Sequence, residues 1–267
     1  MTTLTQAPTT IVPKQAGFLR DVLSLAGRAT RSIPREPEAI IPALIIPIFF
    51  FIVNVGALQD FAENIPGLDY RAFQLPVAII FAVTGVSRAN VLVTDIQSGY
   101  FDRLALTPVN RLAMLLGLMV ADIVLVIALT IPVVALGLLV GVEFSSGPLG
   151  ILLFVLMGGL WGLAYTGFPY AVALKTGNPA AVNSSFLLFF PFMFLTTAFL
   201  PIEAMTDWMA AFARFNPTTY LLEALRALIT DGWAFADVAG GLLAIAGVGA
   251  VSITLALLAL QGRVRRR

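Results

Sequence analysis

Asp122, Arg88 and Asn90 are polar side chains set in otherwise apolar runs of this 267-residue chain, and they limit the chemistry open to it. A carboxylate inside a membrane can carry a proton, but proton coupling needs carboxylates or histidines arranged as a relay. Asp122 is the one clear carboxylate within such a run, and the sequence offers it no obvious partner. A plainer reading places it near the cytoplasmic end of a long helix, helped by Arg88 or Arg111. Arg88 and Asn90 could line a central cavity, although a cation near the cytoplasmic face explains them equally well. Phe190 and Phe194, on either side of Pro191, could form a greasy substrate surface or simply meet lipid. The chain has no histidine and no cysteine. Ser-His-Asp catalysis, imidazole and thiolate metal sites, disulfides and a histidine pH switch are therefore excluded. No Gly-x-x-x-x-Gly-Lys-[Ser/Thr] run occurs, so no phosphate loop holds a nucleotide. No metal site, no bound cofactor and no enzyme activity are expected of this chain.

The elements that must position these residues are read from hydropathy. Hydrophobic residues make up 59% and charged residues 12% of the chain. Soluble domains carry about 25% charged residues, so the chain reads as an all-α membrane protein. A bilayer core needs about 20 apolar residues per helix. Six runs qualify, at about 39–58, 73–96, 112–140, 149–174, 181–200 and 238–260. Residues 1–17, rich in Thr, Pro and Gln, read as disordered and lack the apolar core of a signal peptide. Gly158, Gly159, Gly162 and Gly167 in the fourth run suit close helix packing in a membrane. No basic patch interleaved with aromatics points to nucleic acid.

Orientation follows from the basic residues. All but Arg71, Arg214 and Arg226 of the 16 Lys and Arg fall on one side of a six-span layout. Both termini and the segment after the second span are therefore expected in the cytoplasm. Asp60, Glu63, Asp69, Glu143, Glu203 and Asp207 fall opposite.

Three polar stretches interrupt the spans. Phe18, Val22, Leu25 and Ala29 repeat at helical spacing among Arg20, Arg28 and Arg31, which reads as a basic amphipathic helix on the membrane surface over 18–36. Between the second and third spans, Gly99-Tyr100-Phe101-Asp102-Arg103-Leu104 reads as a short helix over about 98–107. Phe101 and Leu104, with the aliphatic end at Leu106, share a face beside Asp102 and Arg103, and Thr107-Pro108 stops the helix. Such a helix outside the bilayer is a docking surface for a partner protein. After the fifth span, Asn216-Pro217 reads as an N-cap followed by proline at the first helical position. That segment is expected to form two short helices at the outer surface or a re-entrant pair, with Trp208 and Trp233 in an aromatic belt.

These stretches together resemble type-2 ABC exporter permeases. The run Gln97–Arg111 with its Leu-Thr-Pro-Val element resembles that family's cytoplasmic coupling helix. The helix at Phe18–Ile33 followed by Arg35-Glu36-Pro37 looks like its elbow helix. Asn216-Pro217-Thr-Thr-Tyr220 with Glu223-Ala-Leu-Arg226 is similar to its Asn-Pro-x-x-Tyr…Glu-x-x-Arg pattern after the fifth span. The nearest branch is that of the daunorubicin-exporter permeases. The resemblance implies a subunit of the bacterial plasma membrane that pairs with a second copy or a related permease. It also implies two separate ABC ATPase subunits, which carry ATP and Mg and touch Arg20, Arg28, Arg31, Arg35, Glu36 and the segment Gly99–Pro108. Arg88, Asn90, Asp122, Phe190 and Phe194 are candidates for the path of a small hydrophobic substrate moving outward. Rival readings are a secondary transporter or channel acting alone, and an intramembrane lipid-modifying enzyme. No internal repeat supports the first, and only scattered Asp and Arg are left for the second.

Overall fold

The computed structural model describes residues 17–62, 64, 68–106, 109–187 and 189–265. The disorder expected for 1–17 falls almost wholly outside these residues, as do Glu63, Thr107 and Pro108. The described chain is helical throughout its ordered elements. They are α1 (Phe18–Ser32), α2 (Pro37–Ala62), α3 (Tyr70–Thr84), α4 (Ala89–Gln97), α5 (Tyr100–Ala105), α6 (Arg111–Leu139), α7 (Gly147–Thr176), α8 (Pro179–Leu187), α9 (Phe189–Phe194), α10 (Asp207–Phe215), α11 (Pro217–Thr230) and α12 (Phe235–Arg265). Among the described residues five stretches are long and apolar enough to cross a membrane: Ile40–Asp60, Tyr70–Gln97, Arg111–Leu139, Gly147–Thr176 and Phe235–Arg265.

Local sequence explains most boundaries. The Asn110 side chain accepts from Leu112 N and caps α6, and Asn216 accepts from Thr218 N and caps α11 with Pro217 in its first turn. α2 exposes Ile41, Ile45, Phe49, Phe50 and Val53, a face that needs hydrocarbon or another apolar surface to cover it. α7 and α12 cross closely, because a Cβ on Gly167 would overlap the Ser252 backbone. At the same crossing the Ser252 hydroxyl donates to the Ala164 carbonyl.

Four expectations need correction. The second span, expected as one helix over 73–96, is two helices broken at Gly85–Arg88. The Arg88 backbone N–H leaves the helical ladder and donates to Asp122 at 2.8 Å. The fifth span, expected over 181–200, loses helical structure after Phe194. Side chains from other helices take the carbonyls released there. Asn216 donates to those of Phe192 and Leu195, Arg226 to that of Thr197, and Gln74 to that of Ala198. Non-helical backbone at membrane depth persists only where protein satisfies it in this way. Of the two alternatives expected for α11, a surface helix or a re-entrant one, the surface helix is ruled out, because α11 is deeply buried through Leu221, Leu222, Leu225 and Leu228. Finally, α1 turns Val22, Ala26 and Ala29 inward against α6, while Phe18 and Leu23 stay exposed. Its apolar stripe is therefore partly a protein contact and not wholly a membrane one.

Among the described residues two large hydrophobic cores lie one above the other, beside a small cluster of Ala62, Tyr70 and Phe73. Named by the sides expected from the basic residues, the outer core joins α3, the later part of α6, the first half of α7, α11 and the start of α12. The cytoplasmic core joins α4, Phe101 of α5, the first part of α6, the end of α7 and the end of α12. On α6 the change falls between Ala121 and Val126, on α7 between Ala164 and Tyr170, and on the second span between Val83 and Ala89. Asp122, Tyr170 and Arg88 stand at this seam.

Candidate functional site

The seam is polar, and it is enclosed except where Glu36 meets it. Asp122 has no exposed surface. Its carboxylate accepts from Arg88 N at 2.8 Å and from the Tyr170 hydroxyl at 2.6 Å. Tyr170 could not be recognised beforehand, because a residue 48 positions away becomes a partner only through the packing of α6 on α7. The Arg88 guanidinium, also buried, donates to Glu36 at 2.7 Å and to Ser32 at 2.5 Å. This ion pair ties the end of α1 and its following turn to the break between α3 and α4. Arg88 thus faces protein, one of the two places open to a cation so deep in a span. Burying a guanidinium needs a charged partner, and Glu36 supplies it.

Beside the core of α4 and α5, α1 is clipped to both helices. Arg28 pairs with Asp95 of α4 at 3.0 Å and lies over the Tyr100 ring at 4.8 Å. Gly99 precedes α5 at φ +73°, a left-handed turn that favours glycine. Phe101 is buried in the cytoplasmic core, and Leu104 packs against it. The shared face of Phe101 and Leu104 therefore seats the helix and does not present it. Arg103 and Leu106 point outward, with Leu106 89% exposed. Arg20, Arg31 and Arg35 are also exposed.

On the opposite side Asn216, Tyr220, Glu223 and Arg226 build a cap. Arg226 donates from Nε to the Phe73 carbonyl (3.2 Å), from Nη1 to the Thr197 hydroxyl (3.0 Å) and from Nη2 to the Thr197 carbonyl (2.7 Å). It also lies 3.5 Å over the Phe73 ring, a cation–π contact. Burial pulls its guanidinium down to about 9, still protonated at neutral pH. Burial pushes the Glu223 carboxyl above its ordinary range. Arg226 opposes that shift, while Asp237 and Glu203 add to it. The Tyr220 hydroxyl donates to the Arg214 carbonyl and closes the turn between α10 and α11. Each polar residue of the Asn-Pro-x-x-Tyr…Glu-x-x-Arg stretch that holds the cap together does so by a long-range or inter-helix contact.

The candidate path residues do not converge. Arg88 and Asp122 meet in the seam. Asn90 donates to Asn183 at 2.9 Å, joining α4 to α8. Phe190 and Phe194 are both about half exposed on α9. A groove of about 870 Å³ lies elsewhere, between α7, α8–α9 and α12, and Phe189 and Phe192 help to line it. Periodicity does not mark this groove, since its walls come from three helices far apart in sequence.

Comparison with known proteins extends this picture. The profile of the ABC-2 type transporter family matches residues 20–230. The chain is 28% identical over 252 residues to the daunorubicin resistance ABC transporter permease protein DrrB1 of Streptomyces coeruleorubidus, covering 92% of this chain and 87% of that protein. It is 25% identical over 235 residues to the probable doxorubicin resistance ABC transporter permease protein DrrC of Mycobacterium tuberculosis, covering 86% of this chain and 84% of that one. It is also 25% identical over 229 residues to the putative transport permease ycf38 of Cyanophora paradoxa, covering 82% and 78%.

Proposed function

The chain belongs to the ABC-2 type transporter family, and on that premise we propose that it is the membrane subunit of an exporter for a hydrophobic or amphipathic substrate, driven by two separate ATPase subunits. The observation that carries this reading is the clip between α1, α4 and α5. A short helix stands outside the spans, seated on the cytoplasmic core by Phe101 and bound to α1 through Arg28. It leaves Arg103 and Leu106 outward beside a positively charged α1, which suits a partner that pushes from the cytoplasm. The missing phosphate loop supports placing ATP and Mg on that partner. α8 and α9, completed by the capped segment to Pro201, serve as the fifth of six crossings, with both termini in the cytoplasm of a bacterial cell. Two copies, or one copy and a related permease, enclose the path. Relatives named for daunorubicin and doxorubicin resistance support a drug-like substrate. Asn90, Phe190 and Phe194 are the accessible members of the candidate path, and Arg88 and Asp122 act beneath it.

Co-purification tests the proposal. The tagged protein, purified from its native membrane, should carry an ABC ATPase subunit through purification and hydrolyse ATP in nanodiscs. Isolation of a transport-competent protein that never carries an ATPase would refute it in favour of a transporter acting alone.

A further inference from the structure

The groove between α7, α8–α9 and α12 has one polar end. Lys175 stands in the last turn of α7, and Arg263 in the last turn of α12. Arg263 is fixed there, because its Nη1 donates to the Leu174 carbonyl at 2.9 Å and its guanidinium lies 5.9 Å from the Phe101 ring centre. Among the described residues that line the groove none is a carboxylate, and its walls are otherwise almost wholly apolar. Trp161, Asn216 and Pro217 line it away from Lys175. Leu255, Leu258 and Phe192 belong both to its lining and to the exposed surface, so it opens sideways into hydrocarbon. From Lys175 to Trp161 the rise along α7 is about 21 Å at 1.5 Å per residue. One leaflet counted with its headgroups is about 20–22 Å, half of the full bilayer thickness.

We infer that this groove binds one anionic phospholipid of the cytoplasmic leaflet, its acyl chains between α7 and α12 and its phosphate at Lys175 and Arg263. The depth fits a single leaflet, and the charge fits an anion at headgroup level. A second copy of the chain fits poorly. A two-fold interface places the same patch on both sides, which would bring the Lys175–Arg263 ends together. The lipid is a fixed partner and not the cargo, so its binding stands whether or not the exporter reading does, while its leaflet rests on the orientation given with that reading. Its headgroup lies beside Phe101, so the site borders the seat of the coupling helix.

The test is native mass spectrometry of the full-length protein in mild detergent, with phosphatidylglycerol and phosphatidylcholine of identical acyl chains as probes. Wild type should retain phosphatidylglycerol in preference to phosphatidylcholine. Lys175 is exposed, so Lys175→Gln should leave the melting temperature unchanged and weaken phosphatidylglycerol retention about fivefold, the worth of one basic residue at an anionic membrane surface. Ala259→Trp, which fills the groove, should remove both adducts. Equal retention of the two lipids, or unchanged phosphatidylglycerol retention in Lys175→Gln, overturns the inference. So does a disulfide-linked dimer of Ala259→Cys, since the chain has no cysteine of its own and such a dimer would put a second copy in the groove.

Discussion

Replacing Glu36 should harm the protein more than replacing its partner Arg88. The asymmetry comes from burial, since the Arg88 side chain is 2% exposed and the Glu36 side chain 35%. Glu36→Ala strands a guanidinium in the seam with Ser32 as its remaining side-chain partner. Breaking a buried pair from one side costs about 3–5 kcal/mol, and the partial exposure of Glu36 argues for the lower end. Arg88→Met leaves a carboxylate that water can reach, fills the same space with apolar atoms, and keeps the backbone N–H bond to Asp122. Its cost should be about 1 kcal/mol, that of the hydrogen bond to Ser32. For a chain of this size each kcal/mol shifts the melting temperature by roughly 2–4 °C, so Glu36→Ala should melt about 6–12 °C below wild type. The double variant should return close to Arg88→Met. Thermal unfolding in detergent can be followed by the fluorescence of Trp161, whose indole N–H donates to Thr84 at the end of α3. A double variant as unstable as Glu36→Ala, or an Arg88→Met that melts lower than Glu36→Ala, would show that the pair is not organised as argued.

Three further outcomes are expected. Asp122→Asn keeps an acceptor for Arg88 N and can donate to Tyr170, so it should retain transport. Asp122→Ala leaves two buried donors unsatisfied at about 1–3 kcal/mol each and should lower the melting temperature and transport together; loss of transport in Asp122→Asn at an unchanged melting temperature would instead mark a proton carrier. Leu106→Asp and Arg103→Glu should leave the melting temperature unchanged while reducing the ATPase recovered on co-purification, whereas Phe101→Asp should destabilise the protein by burying a charge in the cytoplasmic core. The Glu223 carboxyl titrates above its unfolded value, so stability should rise as pH falls through its folded pKa and be fully gained below the unfolded one; Glu223→Gln should abolish that slope in pH-dependent melts.

Hydropathy and caps were legible in the sequence because they are local. The runs that became α2, α6, α7 and α12, the Asn216-Pro217 start of α11, and the short α5 after Gly99 each follow from neighbouring residues. What could not be read is where distant side chains override the chain's own ladder. The break at Gly85–Arg88 needs Asp122, and the non-helical stretch after Phe194 needs Gln74, Asn216 and Arg226. The same limit applies to the direction of a short helix. Phe101 and Leu104 share a face in the sequence, but only the packing of α6 and α12 decides that the face points inward. At the site, Arg88 and Asp122 were identifiable as unusual, while Tyr170 and Ser32 were not.

Two stacked cores also have a mechanical consequence. A load applied at α5 enters the lower core, which moves as one block with α1 and α4. It cannot travel up the second span as along a continuous rod, because that rod is cut at Gly85–Arg88. Among the described residues α6, α7 and α12 run as single helices from one core into the other. Displacement at α5 should therefore appear as tilt between the two blocks with the interior of each unchanged.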